Sequence, residues 1–212
     1  FADDAYDEEA FDEASFDWDM LGELMGTVTS MGNEQMGMMM SSLMMDMLRP
    51  EEYESGPRVD FEGDTAFVYF DSFDEDLDRD TTYYVTLPTE EDAQQSTFAL
   101  LYDAFEKIKA KGGIKNVVFD LTDNGGGSAA ALVCALGFLS PDGEAELTFR
   151  DEMSGAVHTE HYHVDTNLDG TFDDKDGFGG QYDFYIVTGP NSYSCGNALP
   201  FFSQQQGLAK II

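Results

Sequence analysis

Ser194 stands in the stretch TGPNSYSCGNALP, Thr188 to Pro200, between a hydrophobic run and a helix-like run. A serine at the start of a helix has its hydroxyl beside backbone N–H groups that lack an intrahelical partner. Those donors and the helix dipole favour negative charge there. A nucleophilic serine needs such surroundings when the carbonyl it attacks becomes an oxyanion. A second turn, TDNGGGS from Thr122 to Ser128, also follows a hydrophobic run, and its glycines allow close approach and a second donated N–H. On local sequence alone, capping of the following helix is the more ordinary role for Ser194. The G-x-S-x-G elbow of α/β-hydrolases is missing, since Ser192 stands where its first glycine would be.

The glycine turn has a rival reading. Gly125, Gly127 and Ala130 fit G-x-G-x-x-A between a strand and a helix, with Asp151 at the distance of a ribose-binding acid. Asp120 and Asp123 would face the pyrophosphate with no Arg or Lys nearby, which disfavours dinucleotide binding.

DTNLDGTFDDKD, Asp165 to Asp176, carries the spacing of a calcium loop. Asp165, Asn167 and Asp169 occupy positions 1, 3 and 5. Gly170 makes the turn at 6, Thr171 offers its carbonyl at 7, Asp173 acts at 9, and Asp176 replaces the usual glutamate at 12. A divalent cation relieves the repulsion among these carboxylates, so Ca2+ is the expected cofactor. An acidic turn without a metal is the plainer alternative. Just before it, HTEHYH sets His161 and His163 on one face of a strand, where alternating surface residues are commoner than a zinc site.

These residues need a frame. Thr65 to Phe73, IKNVVFDL and YDFYIVTGP read as strands. Thr97 can cap a helix with Phe98, Leu101, Phe105 and Ile108 on one face and Gly112-Gly113 at its end. SAAALVCALGFL and the segment from about Ser194 to Gln206 read as two more helices. Alternating strands and helices predict an α/β fold with a mostly parallel sheet, and ligands gather at the carboxyl ends of such strands. Both turns lie there.

Formal charge is -33, from 43 acidic and 10 basic residues, which repels nucleic acid and anionic lipid and favours cations and basic peptides. No apolar run approaches the length of a membrane span. The chain starts at Phe1 with no initiating Met, as expected of a mature or trimmed product. Cys134 and Cys195 form no disulfide framework or CxxC motif, and leave the compartment open. Residues 1–57 form an acidic N-terminal segment, helical or partly disordered, with ten of the eleven methionines between Met20 and Met47. Residues 58–212 are the expected α/β core.

VVFDLTDNGGGSAAALV together with FYIVTGPNSYSCGNALPFF resembles the C-terminal processing, or tail-specific, serine proteases. In that family a strand ends in D-L-R-x-N-x-G-G and a later strand leads to S-A-S-A-S-E. The SCGN form resembles a branch from anaerobic gut bacteria, and no PDZ-like segment is evident. The resemblance covers roughly residues 60 to 212. It implies a crotonase-like or ClpP-like spiral core, Ser194 as nucleophile, and the N–H groups of Cys195 and of Gly126 or Gly127 as the oxyanion hole. Relatives use a lysine downstream of the serine as base, beyond the 18 residues that follow Ser194 here. Lys210 is not assigned that role, and His158, His161 and His163 all follow the glycine turn. The base is expected in a missing C-terminal segment or a partner chain.

The expected function is a serine endopeptidase acting on peptides or proteins through an acyl-enzyme on Ser194. Extracellular or cell-surface location follows from the resemblance, the calcium loop and the acidity. A catalytically inactive, calcium-dependent peptide-binding module is the alternative.

Overall fold

Three α-helices occur among the described residues, and each begins at a serine. The computed structural model describes residues 56–75, 86–151 and 153–212. The chain divides into two units, Phe1–Glu54 and Ser55–Ile212. The first, with the expected acidic, Met-rich segment, lies outside the described residues.

Helix α1, Thr97–Lys111, is capped by Ser96, whose side chain accepts from the Ala99 N–H. Thr97, expected as the cap, is instead the first helical residue, and its hydroxyl accepts from the Asp74 N–H at 2.9 Å. Ser96 wins the position because its backbone is extended, as a cap requires. Leu101, Phe105 and Ile108 are buried as their spacing predicts. Gly112 ends the helix with φ 66. Helix α2, Ala129–Leu139, is capped by Ser128, which accepts from the Ala130 N–H. Helix α3, Cys195–Gln206, starts after Ser194.

The strands are β1 (Arg58–Glu62), β2 (Thr65–Tyr69), β3 (Asn116–Leu121), β4 (Glu144–Arg150), β5 (Val157–His163), β6 (Asp183–Thr188) and β7 (Lys210–Ile211). Strand β2 stops at Tyr69 rather than running to Phe73. Phe73 instead makes an isolated bridge with Gly127. The main sheet has the order β1-β2-β3-β6-β7. Only β1–β2 is antiparallel; the other three pairings are parallel. This is the mixed α/β fold with a mostly parallel sheet that the alternating pattern predicts. Strands β4 and β5 form a separate antiparallel ribbon.

The core sits between sheet and helices. Phe105 stacks on Phe178 at 4.1 Å and on Phe138 at 5.4 Å, and Phe119 meets Phe70 and Phe184 edge-on. Such buried aromatic pairs add about 0.5–1.5 kcal/mol each beyond the area they bury. They anchor β3 and β6 side by side, with Asp120 opposite Val187 and Leu121 opposite Thr188. The two turns that leave these strands are thereby neighbours. No helix among the described residues is long and apolar enough to cross a membrane.

Candidate active site at two strand ends

Asn124 ties the two turns together. It is fully buried. Its side-chain amide donates to the Phe70 carbonyl at 2.9 Å, and its Oδ1 accepts from the Gly126 N–H at 2.9 Å. Its own carbonyl accepts from the Tyr193 N–H at 2.9 Å. One side chain thus holds the end of β2 and the glycine turn, while its backbone holds the residue before Ser194. Ser192 adds a second tie: it donates to the Leu121 carbonyl at 2.6 Å and accepts from the Gly189 N–H at 2.9 Å. Asn191 adds a third, through Nδ2 to Asp123 Oδ1 at 2.7 Å.

The consequence is close backbone contact. A Cβ placed on Gly126 would lie 2.5 Å from Ser194 Cβ and 3.1 Å from the Cys195 nitrogen. One on Gly127 would lie 2.2 Å from the Phe73 carbonyl oxygen. Both glycines also have positive φ, 99 and 141. No other residue type fits this turn without moving the strand ends.

Ser194 itself has φ 51 and ψ -118, a conformation that glycine favours and serine rarely adopts. Holding it there costs on the order of 1–3 kcal/mol and requires the surrounding ties. Its side chain makes no capping hydrogen bond, unlike Ser96 and Ser128. The hydroxyl is therefore on an exposed residue and is not spent on the helix. Among the described residues neither the Cys195 N–H nor the Gly127 N–H donates a hydrogen bond, whereas the Gly126 N–H is engaged by Asn124. Cys195 is buried, and its thiol donates to the Gly127 carbonyl at 3.3 Å.

No Lys or His among the described residues hydrogen-bonds Ser194. Lys210 lies over the Tyr185 ring and its ammonium donates to the Tyr185 hydroxyl at 3.5 Å. His158 is 3.2 Å from Glu160, and His161 is 3.8 Å from Glu146. His163 Nε2 is 3.2 Å from Asp176 Oδ2 but not aligned to hydrogen-bond it.

The loop at 165–176 is closed by its own hydrogen bonds. Asp165 accepts from the N–H groups of Asp169 and Gly170, Asn167 from Asp169, and Asp169 from Thr171. Asp176 accepts from Asn167 Nδ2 at 3.0 Å and from the Asp173 N–H at 2.9 Å. Burial pushes the Asp176 carboxyl above the usual carboxylate range, while Lys175 holds Asp173 below it. The all-oxygen donor set suits a hard cation. Among the described residues, however, no three acidic, His or Cys side chains are gathered into a ready metal cluster.

A serine at a strained strand-to-helix turn thus faces a glycine turn on the neighbouring parallel strand. The chain belongs to peptidase family S41, whose family model matches residues 81–212, more than half of the sequence. A comparison with curated proteins returns no match. Among solved structures, the photosystem II D1 C-terminal processing protease is similar at 18% identity with a TM-score of 0.44, over 69% of this chain and 29% of that one. A lipoprotein from Streptococcus agalactiae is similar at 13% identity and TM-score 0.47, over 74% and 48%. Mature CPAF is similar at 12% and 0.43, over 73% and 39%. The chain thus spans less than half the length of each of these structures.

Asn124 is the site residue that sequence reasoning passed over. It lies inside the quoted TDNGGGS, but its role depends on Phe70 and Tyr193, which are remote in sequence.

Proposed function

We propose that the chain is the core of a serine endopeptidase of the tail-specific type, of crotonase-like or ClpP-like architecture and without a PDZ segment. Ser194 is the nucleophile. Its Oγ adds to the peptide carbonyl while its proton passes to a base, and the carbonyl oxygen becomes an oxyanion. The Cys195 N–H and a glycine-turn N–H stabilise that charge. Gly127 is the preferred second donor, since the N–H of Gly126 is held by Asn124. Collapse expels the amine, which takes a proton, and water then hydrolyses the ester on Ser194. The base comes from a further segment or a partner chain. One observation carries the reading: the glycine turn lies against Ser194, with 2.5 Å between its Cβ and one placed on Gly126. Each oxyanion donor of this kind contributes roughly 100- to 1000-fold in rate.

Calcium is proposed at Asp165, Asn167, Asp169, Thr171, Asp173 and Asp176. When bound it supplies positive charge among these carboxylates and stiffens the connection into β6. Extracellular or cell-surface action is proposed on the calcium loop and the acidity of the chain.

Fluorophosphonate treatment with peptide mapping tests the reading. The expected adduct is on Ser194 and disappears in Ser194→Ala. Absence of any adduct in the complete protein, base included, would leave the calcium-dependent peptide-binding module instead.

A further inference from the structure

A cavity of about 540 Å³ opens beside the glycine turn, between α1, α2, the β4–β5 ribbon and the 165–176 loop. Its size is that of a site for a small ligand or a few peptide side chains. It does not include Ser194, yet its wall begins at Ala129, two residues after Gly127. Two residues of extended chain span at most about 7 Å. A peptide whose carbonyl oxygen met the Gly127 N–H would therefore have its neighbouring side chains at the cavity mouth.

The walls are mostly apolar, with Glu160, His163 and Asp165 also lining them. Ala130 and Val133 line one side, and Phe149, Tyr162 and Phe172 the other. Those three aromatics are 46%, 41% and 58% exposed, although they border a cavity. Exposed aromatics grouped in a concavity mark a binding surface. The end nearest Gly127 carries two exposed carboxylates, Asp74 and Glu75. Glu75 is fixed in place by the Ser128 hydroxyl, which donates to it. No Lys or Arg among the described residues lines the cavity.

We propose that this cavity is the specificity pocket of the Ser194 site, selecting peptides with a large apolar side chain next to a lysine or arginine. The inference rests on the peptidase reading for Ser194. The apolar side chain enters between α2 and the aromatics. The cationic neighbour pairs with Glu75 and Asp74 at the mouth. A chain of such negative charge also draws cationic peptides toward it from solution, which speeds encounter without deciding which residue enters the pocket.

Binding to the Ser194→Ala protein, followed by fluorescence anisotropy of dye-labelled hexapeptides, separates the two contributions. A peptide with Phe beside Lys should bind at least roughly tenfold more tightly than the same peptide with Glu for Lys or Ala for Phe. Glu75→Gln keeps an oxygen to accept the Ser128 hydroxyl. It should weaken the Lys peptide roughly threefold and leave a Phe-Gln peptide unchanged. Ala130→Trp, confirmed folded by its circular dichroism, should abolish binding of all Phe peptides. Equal binding of the Lys and Glu peptides, indifference to Phe→Ala, or no binding at all would overturn the proposal. Fluorophosphonate labelling of Ser194 without this selectivity would sink the pocket alone. Selectivity without labelling would sink the peptidase reading and leave a peptide groove.

Discussion

The serine turn and the acidic loop at 165–176 both stand out as short motifs, yet they are built in opposite ways. The loop satisfies itself: its carboxylates accept hydrogen bonds from N–H groups within five residues. The serine turn is satisfied from elsewhere, by Asn124 and the Leu121 carbonyl, 70 or so positions away in sequence. A loop that closes on its own backbone can exist with or without its ligand. A turn held across two strands can keep one residue strained and leave N–H groups unspent, and those unspent donors are what an oxyanion uses.

The sharpest break in this contrast is Gly126→Ala. The added methyl meets Ser194 Cβ, and the positive φ is strained besides. The expected loss is about 3 kcal/mol or more of stability, with Ser194 labelling reduced over 100-fold. Denaturant unfolding and labelling rates check both.

Asn124→Ala comes next. It strands the Phe70 carbonyl and the Gly126 N–H in a buried place, at about 2–4 kcal/mol, without adding any clash. A variant with wild-type stability would show that the turns are not held by this residue.

For the acidic loop, calcium at 100 times its dissociation constant should stabilise by about 2.7 kcal/mol, raising Tm by roughly 5–10 °C. Asp165→Ala should abolish the increment, which calorimetry would read. Without calcium, the raised Asp176 pKa adds one component to the pH dependence, opposite in sign to that of the lowered Asp173. The Asp176 contribution is full below the ordinary carboxylate pKa and is lost as pH rises through the raised value. Measured against Asp176→Asn, which lacks this titration, the calcium-free protein should therefore lose relative stability over that window.

The smallest effect sharpens the comparison most. Ser194→Gly removes the strain at φ 51 and should stabilise the fold by about 1 kcal/mol while abolishing labelling. A serine that only capped its helix would cost little or lose stability on the same change.

The adjacency of the two turns was readable in the sequence because hydrophobic runs followed by turn residues mark strand ends, and strand ends in parallel sheets converge. Ser194 and the glycine turn stand out that way, whereas the pairing of the Cys195 N–H with a glycine N–H is implied only by the resemblance to the tail-specific proteases. The resemblance pointed to Gly126 ahead of Gly127, whereas the Asn124 side chain engages the Gly126 N–H and so favours Gly127 in the proposed oxyanion hole. It placed the cap of α1 at Thr97 because Ser96 and Thr97 are both competent; backbone geometry alone separates them. The cavity was not legible at all. Phe98, Ala130, Phe149, Tyr162 and Phe172 come from five segments, and no spacing rule links them.

The convergence of two main-chain donors beside Ser194 is tested most directly by amide NMR of the uniformly 15N-labelled protein before and after phosphonylation of Ser194. The Gly127 and Cys195 amide protons should both move downfield as they take up the phosphonyl oxygen, with Gly126 little changed. An adduct on Ser194 that leaves both amides where they were would contradict the account.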